Sequence, residues 1–264
     1  MSAPAEVVDG QIRQACRQLH LPTIASRAAA LSTEALREGE SHLSFLAAVL
    51  EAELEDRSER RRHRRIAEAH FPRLKRLEDF RFDEAPQIPA ARIRELAGLG
   101  FVDRAEPVIF VGESGTGKSH LAIGLGIAAC MAHRRVRFVT TAGLVNELRE
   151  ARDDRSLSRL VARYARIELL VLDELAYVPL SPADAELLFQ VLDERSEQRS
   201  LITTTNLPFG EWTKVFPEAR LCKAVVDRLT FNAHIIETGT ESWRFRKTLE
   251  AQKRRGARSV PEAA

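Results

Sequence analysis

Apolar residues recur at intervals of three and four through the first third of the chain, and this spacing predicts helices from residue 11 to about residue 80. The recurrence is clearest at five positions: Leu43, Leu46, Ala47, Leu50 and Leu54. They belong to the stretch SHLSFLAAVLEAELEDRSERRRHRRIAEAHF, residues 41–71, which we expect to form one long helix with an apolar first half and a cationic second half. Residues 1–80 are therefore predicted to be a small all-α domain.

A different pattern begins after residue 80. Pro86 and Pro89 interrupt the helical spacing, so residues 81–105 are predicted to be a linker that leads into a core. Short β-favouring runs then alternate with helical segments, which is typical of a parallel sheet with crossover helices. The predicted strands are residues 107–111, 136–140, 168–172, 201–205 and 234–237. We expect an α/β fold, a five-stranded parallel sheet flanked by helices over residues 106–248, followed by a basic tail at residues 249–264.

The sequence GESGTGKS, residues 112–119, follows the first predicted strand and leads into a predicted helix. It fits the pattern G-x-x-x-x-G-K-[ST] of phosphate-binding loops, in which backbone N–H groups and the positive end of the helix dipole meet a phosphate. Lys118 is expected to reach the β- and γ-phosphates of a nucleotide, and the Ser119 hydroxyl to ligate Mg²⁺. The predicted nucleotide contacts are Gly112, Ser114, Gly115, Thr116, Gly117, Lys118, Ser119 and His120.

The apolar run LLVL, residues 169–172, ends in Asp173 and Glu174. An acidic pair at the carboxyl end of a buried strand lies where open α/β sheets bind their ligands. We expect Asp173 to hold Mg²⁺ and Glu174 to orient an attacking water molecule. Asn206 follows the fourth predicted strand and would lie beside this pair if the two strands are neighbours. Lys118, Glu174 and Asn206 are therefore predicted to act together in catalysis.

Arg228 stands near the end of the helical segment that precedes the last predicted strand. An arginine at this place can stabilise the charge of a transition state in a neighbouring subunit, and nothing else in the chain's own predicted site obviously supplies such a group. Arg220 is the reserve candidate for this role. The alternative is that Arg228 only interacts with the dipole at the end of its helix.

Charge, cysteines and hydropathy narrow the class of protein. Forty Lys and Arg residues stand against 38 Asp and Glu residues, and a net charge of +2 argues neither for nor against nucleic acid. The three cysteines are widely spaced without a C-x-x-C pair, so neither a disulfide framework nor a zinc site is indicated. The longest apolar stretch, residues 121–132, is too short to span a bilayer. We expect a soluble cytoplasmic protein that does not contact a membrane.

Other classes of nucleotide-binding protein carry motifs that this sequence lacks. It contains no N-K-x-D motif, with which GTPases read the base, and no L-S-G-G-Q motif of ABC ATPases. The adjacent acidic pair favours an ATPase of the additional-strand class. A small-molecule phosphotransferase stays open, as does a nucleotide-binding scaffold that never hydrolyses its ligand.

Four motifs taken together resemble the AAA+ initiator and helicase-loader group, and more closely the IstB-like transposition helper ATPases: GESGTGKSHLA, LLVLDE, TTN and VVDRL. The helical stretch of residues 43–65 and the following FPRLKRLEDFRFD are also similar to the N-terminal region of that family. The resemblance covers residues 11–248. It implies a P-loop ATPase encoded by an insertion sequence, which assembles as an ATP-dependent homo-oligomer on duplex DNA and helps its transposase to choose and use a target.

The resemblance also implies ATP and Mg²⁺ as cofactors, and it gives roles to particular residues. It implies that five residues carry out the nucleotide chemistry: Lys118, Ser119, Asp173, Glu174 and Asn206. It also implies that Arg228 acts across a subunit boundary. The loop ends in Ser119 where the family frequently has threonine, and both hydroxyls can ligate Mg²⁺. Few residues follow the last predicted strand, so we expect no full C-terminal lid, and Arg244 and Arg246 are weak candidates for a second-sensor arginine. A DnaC-like helicase loader with the same ATPase core is the related alternative.

Two groups of arginines are candidate contacts for DNA, because arginine binds phosphates without reading sequence. The first group lies in the cationic half of the long predicted helix: Arg60, Arg61, Arg62, Arg64 and Arg65. The second group is predicted to lie on one helical face between the second and third strands: Arg152, Arg155, Arg159 and Arg163. Transposase contact and plain solvation are the alternatives for the first group, and the sequence does not rank the two groups.

Overall fold

The computed structural model describes residues 5–240 and 242–243 of the chain. Two compact units are present, residues 1–64 and residues 65–264. The basic tail at residues 249–264 and the second-sensor candidates Arg244 and Arg246 lie outside the described residues. Among the described helices, none is long and apolar enough to cross a membrane.

Three helices account for the first unit. They are α1 (Ala5–Gln18), α2 (Pro22–Glu38) and α3 (His42–Glu68), the last of which begins in the first unit and ends in the second. The prediction of one long helix near residues 41–71 is confirmed by α3. The leucines that gave this helix its apolar period are exposed, however, with Leu43 at 78% and Leu54 at 67% of their full accessible surface. The residues of α3 that are buried, Val49 and Glu53, lie between them in the sequence.

Glu53 joins α3 to the beginning of α2. The backbone N–H groups of Thr23 and Ile24 donate to Glu53 Oε2 over 2.9 and 3.0 Å, so two of the free donors at the start of α2 are satisfied. Arg57 Nε donates to Glu53 Oε1 over 2.8 Å. Burial alone raises the pKa of Glu53, but these three donors bind the charged carboxylate and bring its pKa below the ordinary value.

The second unit contains the sheet and its helices. The strands are β1 (Val108–Val111), β2 (Val136–Thr140), β3 (Leu169–Leu175), β4 (Ser200–Thr205) and β5 (His234–Glu237). Before β1 lie two short 3-10 helices (Leu77–Asp79 and Phe82–Glu84), α4 (Ala90–Ala97) and α5 (Gly100–Asp103). The helices that follow are α6 (Lys118–Met131), α7 (Thr141–Asp153), α8 (Leu157–Ala165), α9 (Pro182–Arg195) and α10 (Ala219–Thr230), with a 3-10 helix (Phe209–Lys214) after β4.

All five strands are parallel, and their order across the sheet is β2-β3-β4-β1-β5. β3 and β4 are neighbours, as the position predicted for Asn206 required. Their carboxyl ends lie at the same edge as the end of β1, where the chain enters the glycine-rich loop. The predicted α/β fold with a five-stranded parallel sheet is confirmed.

Side chains that alternate along the strands enter two separate cores, one on each face of the sheet. Val108 and Phe110 of β1 pack in the core that contains α6, whereas Ile109 packs in the core that contains α7, α9 and α10. Helices cover both faces of the central strands, and β1 accordingly reads as a continuous apolar run, whereas β4 ends in buried threonines. All five strands are short runs rich in apolar and β-branched residues, which is why four of them were predicted within about one residue of their observed ends.

Two stretches differ from the pattern predicted for them. Residues 81–105, predicted to be a linker, contain α4 and α5, and Ile93 and Phe101 within them are buried in the same core as α6. The prediction that four arginines between β2 and β3 lie on one helical face is wrong. Helix α7 ends at Asp153, Arg155 takes a left-handed backbone conformation with φ of +55°, and a new helix begins at Leu157. Arg152 and Arg159 therefore belong to different helices.

Candidate functional site

The glycine-rich loop connects β1 to α6 and is shaped by contacts that exclude larger residues. Gly117 has φ of +100°, and a Cβ atom at this position would lie 2.6 Å from the ring of Phe80. Gly112 lies so close to the segment after β5 that a Cβ atom would meet Gly239 O at 2.7 Å. The loop therefore takes its path because glycine tolerates both the left-handed conformation and the close approach.

Lys118, the first residue of α6, extends its side chain back into the loop. Its Nζ donates to the carbonyl oxygens of Gly112 and Glu113 over 2.6 and 2.8 Å. The side chain is nearly buried, with 9% of its residue surface accessible. The ammonium group is thus held within the loop. The N-terminal end of α6, which follows the loop, favours a phosphate.

Ser119 and Asp173 come together although 54 residues separate them in the sequence. Ser119 Oγ donates to Asp173 Oδ1 over 2.9 Å, and Asp173 is buried. A hydroxyl and a carboxylate are hard oxygen ligands of the kind that Mg²⁺ takes from a protein when substrate phosphates and water complete its coordination. Within the described residues no group of three or more His, Cys, Asp or Glu side chains forms a complete metal site. By its chemistry, the pair of Ser119 and Asp173 fits a Mg²⁺ ion whose other ligands are phosphate oxygens and water.

Glu174 and Asn206 line one cavity beside the loop. The cavity measures about 280 Å³ and also contains Lys118 and Ser119 in its wall. Glu174 follows Asp173 at the end of β3 with its side chain exposed, and Asn206 follows β4, the neighbouring strand. Five predicted residues of the site are thus brought to one edge of the sheet: Lys118, Ser119, Asp173, Glu174 and Asn206.

Of the remaining predicted loop residues, all except Gly112 also line this cavity, and His120 is held against its wall. Ser114, Gly115, Thr116 and Gly117 all line the cavity. The ring of His120 packs edge-on against Phe80 at 5.2 Å, and its Nε2 lies 2.8 Å from the carbonyl oxygen of Arg76. Burial lowers the pKa of His120, which favours the neutral ring.

Several cavity residues were not predicted from the sequence. They come from the 3-10 segment before the core, from the ends of β3 and β4, and from the segment after β5: Lys75, Asp79, Phe80, Arg81, Ala85, Tyr177, Thr204, Thr205 and Trp243. Thr204 and Thr205 lie in the TTN motif, and four of the others lie in the stretch FPRLKRLEDFRFD, but neither motif gave them a role at the site. Their place beside the loop is set by tertiary contacts. Arg81 lies in this wall and is held by Glu84 Oε1 at 2.7 Å. The chain's own cavity therefore contains an arginine, Arg81, that was not predicted from the sequence.

Arg228 lies at the other edge of the sheet. It occupies the last turn of α10, and its Nε donates to Asp193 Oδ1 over 2.8 Å. It lines a separate cavity with Pro107, the residue that precedes β1. Arg220, in the first turn of the same helix, is exposed. Among the described residues, Arg228 thus does not line the cavity of the phosphate loop of its own chain, and the role predicted for it across a subunit boundary stays a prediction.

The first group of candidate DNA contacts is partly paired with carboxylates on α3. Arg60 pairs with Asp56, Arg62 Nη1 lies 3.3 Å from Glu59 Oε2, and Arg65 Nη1 lies 3.1 Å from Glu68 Oε2. Arg61 and Arg64 are exposed. In the second group, Arg163 pairs with Glu147 at 3.1 Å, whereas Arg155 and Arg159 are exposed. Both groups retain cationic surface.

A comparison with protein families and with curated proteins identifies the relatives of this chain. The family model described as IstB-like ATP binding protein matches residues 14–251. The chain belongs to this IstB-like family. A Sinorhizobium fredii protein named as an insertion sequence ATP-binding protein is 40% identical over 239 residues, which are 90% of this chain and 80% of the relative. The IS5376 ATP-binding protein of Geobacillus stearothermophilus is 35% identical over 246 residues, which are 93% of this chain and 98% of the relative.

Solved structures share the fold of this IstB-like chain. AMPPCP-bound DnaA from Aquifex aeolicus is 18% identical with a TM-score of 0.55, over 70% of this chain and 56% of DnaA. DnaI is 20% identical with a TM-score of 0.51, over 62% of this chain and 90% of DnaI. The fold is that of the AAA+ initiators and loaders, as the sequence motifs predicted. Membership of the family also confirms that this is an ATP-binding protein of the insertion-sequence type.

Proposed function

We propose that this protein is a Mg²⁺-dependent ATPase that assembles as an oligomer on duplex DNA and assists the transposase of its insertion sequence. The observation that carries the proposal is the convergence of Lys118, Ser119, Asp173 and Glu174 at one edge of the sheet. The names of the relatives, which are insertion sequence ATP-binding proteins, support the link to transposition.

Each residue of the site has a definite task in this proposal. Backbone N–H groups of the loop and the Lys118 ammonium bind the β- and γ-phosphates of ATP. Ser119 and Asp173 would hold Mg²⁺, which neutralises charge on the phosphates when it is bound. Glu174 orients and polarises the attacking water, and the Asn206 amide holds that water against the γ-phosphate.

The oligomer is proposed because Arg228 faces away from the site of its own chain. Its guanidinium pairs with Asp193, and 42% of the side chain is nevertheless accessible. In an oligomer it would stabilise charge on the ATP of a neighbouring subunit. ATP bound between subunits then holds the oligomer together, and hydrolysis releases or rearranges it.

DNA binding is proposed for the exposed arginines. Contacts to phosphates give affinity without sequence reading, which suits a protein that must accept many target sites. The affinity is expected to fall steeply with salt, because each neutralised phosphate releases counterions. Target selection would follow from the contact between this DNA-bound oligomer and the transposase.

Light scattering tests the proposal. Wild type and Glu174→Gln are measured alone, with ATP, with a random-sequence duplex and with both ligands, while ATP hydrolysis is followed in parallel. We expect a small species alone and a large discrete complex with both ligands, which Glu174→Gln preserves for longer because it does not hydrolyse ATP.

Other outcomes point to other functions. A monomer under every condition would overturn the oligomer and favour a small-molecule phosphotransferase. Normal function in Glu174→Gln would indicate a scaffold that does not depend on hydrolysis. Co-purification with a replicative helicase would favour a DnaC-like loader.

A further inference from the structure

The acidic pair at the end of β3 stands opposite a single residue of β4. Leu172 pairs with Thr203 and Leu175 pairs with Thr205, so the two residues between them on β3 face only Thr204. This extra residue makes a β-bulge, a feature that redirects side chains at the end of a strand. Glu174 takes a left-handed conformation there, with φ of +60°. A residue with a side chain adopts this conformation only where its surroundings hold it.

The hydroxyl of Thr204 contacts both acidic residues. Glu174 N–H donates to Thr204 Oγ1 over 3.0 Å, and Thr204 Oγ1 donates to Asp173 Oδ1 over 2.5 Å. The direction of both bonds follows from the chemistry of the groups. An amide N–H can only donate, so the hydroxyl accepts there and uses its single proton on the carboxylate. Thr204 is 1% exposed, and water therefore does not replace either bond easily.

We propose that Thr204 is a positioning residue for ATP hydrolysis. Its hydroxyl orients the Asp173 carboxylate beside Ser119 and holds the bulge that directs Glu174 into the cavity. This inference rests on the proposed ATPase function, but nothing in it depends on oligomers or DNA. Thr204 acts through the two acidic groups, so its loss changes how they are placed without removing either of them.

Thr203 is a matched control on the same strand. It is fully buried, and its Oγ1 donates to the carbonyl oxygen of Leu172 over 2.9 Å, one residue before the acidic pair. Thr203→Val therefore also removes one buried hydroxyl bond between β4 and β3. It leaves both bonds of Thr204 in place, so it measures the structural cost of losing such a bond without the positioning effect.

The test compares Thr204→Val, Thr204→Ser and Thr203→Val in the full chain. The steady-state kcat and KM for ATP are measured, together with the binding of a fluorescent ATP analogue in excess Mg²⁺ and in EDTA, and the melting temperature. We expect Thr204→Val to lower kcat by about 10- to 100-fold with little change in KM, and to lose much of the Mg²⁺-dependent gain in analogue affinity. Thr204→Ser should restore both, because it retains the hydroxyl.

Two results would overturn the inference. One is that Thr204→Val and Thr203→Val have equal kcat values and an equal Mg²⁺ effect on binding. The other is that Thr204→Ser is as impaired as Thr204→Val although it melts at the wild-type temperature. Thr204→Ala replaces Thr204→Val if the valine variant does not fold. Glu174→Gln is measured alongside: if it hydrolyses ATP normally, the proposed ATPase mechanism itself fails, whatever Thr204 does.

Discussion

The hydroxyl of Thr116 in the phosphate loop lies 2.6 Å from the hydroxyl of Thr238, although 122 residues separate them. Both side chains are buried. A second bond joins the same two segments, since Glu113 N–H donates to Gly239 O over 3.0 Å. The segment that leaves β5 is thus attached directly to the loop that is expected to bind phosphate.

Removing the Thr238 hydroxyl should loosen the loop. We expect Thr238→Val to lower the free energy of unfolding by about 1 to 2 kcal/mol, because the Thr238 hydroxyl contacts both the Thr116 hydroxyl and Val111 O. ATP should then bind more weakly because ordering the loop costs more. Calorimetric titration with ATP measures this. Thr230→Val is the control, since the Thr230 hydroxyl donates to Val226 O within α10, away from the loop. Equal ATP affinity in the two variants would contradict the expectation.

Substitutions of Lys118 and Glu174 should affect different steps, the first nucleotide binding and the second hydrolysis. Lys118→Ala is expected to weaken ATP binding by about 10- to 100-fold, because charged hydrogen bonds to the phosphates are lost. Glu174→Gln should bind ATP normally and lower kcat by about 10²- to 10⁴-fold. Titration with a fluorescent ATP analogue and phosphate release measure the two effects. Lys214→Ala, which removes a surface lysine paired with Glu211, should leave both unchanged. Weak binding by Glu174→Gln would show that this separation does not hold.

Arg228 can be tested by mixing two inactive variants. We expect Arg228→Ala to lower the DNA-stimulated kcat by about 10³-fold or more. Mixing Arg228→Ala with Glu174→Gln should restore activity, because a mixed interface combines an intact Arg228 with an intact Glu174. Arg220→Ala, at the reserve candidate in the same helix, should stay active if Arg228 carries the role, and Arg37→Ala, at an exposed ion pair with Glu38, serves as the control. Mixtures as inactive as the separate variants would place Arg228 outside the neighbour's site, and Arg81→Ala would then test the arginine in the chain's own cavity.

The salt dependence of DNA binding should distinguish the two arginine groups. If the α3 group contacts phosphates, Arg61→Gln with Arg64→Gln should weaken binding to all sequences alike. It should also reduce the slope of log affinity against log salt by about one for each lost contact. Arg155→Gln with Arg159→Gln is the matched pair from the α7–α8 region. Fluorescence anisotropy with several duplexes measures both, and an unchanged slope in either pair would remove that group from the DNA surface.

Glu106 should contribute to stability in a defined range of pH. Arg104 donates to its carboxylate through Nε and Nη2, over 2.7 and 2.8 Å. The Arg104 guanidinium, together with His234, lowers the pKa of Glu106 from 4.5 to about 2. Since the pKa is lower in the folded state, the contribution is complete above about pH 4.5 and is lost as the pH falls towards 2.

Denaturant unfolding of Glu106→Gln checks this expectation. The difference in unfolding free energy between wild type and the variant should shrink as the pH falls from 4.5 towards 2. Glu95→Gln, at an exposed surface ion pair with Arg92, should show almost no difference at any pH. A difference for Glu106→Gln that stays constant down to pH 2 would contradict the lowered pKa.

Much of the site was predictable because its functional residues lie in short contiguous motifs. Residues 112–119 contain the complete loop motif between a predicted strand and a predicted helix, and Asp173 and Glu174 stand next to each other. The strands were predictable for a related reason, since each is a short run rich in apolar and β-branched residues. Asn206 was predictable only on the condition that β3 and β4 are neighbours, and the strand order satisfies that condition.

Predictions from local sequence spacing were wrong or incomplete where a turn or a distant segment determines the structure. The regular spacing from Arg152 to Arg163 is helical in the sequence, but the left-handed turn at Arg155 divides it between two helices. The regular spacing of leucines in α3 correctly predicted a helix. The spacing alone does not show which face of the helix is buried, and Leu43 is in fact exposed.

The sequence by itself determined the class of fold, the phosphate loop and the acidic pair, because each depends on neighbouring residues and on burial by the chain's own apolar runs. Only the tertiary structure decided that Thr204 bonds both acidic residues, that Thr238 is attached to the loop, and that Arg228 lies away from its own site. These relationships join segments that lie far apart in the sequence. Which of them meet is set by strand order and register, and no local spacing encodes either.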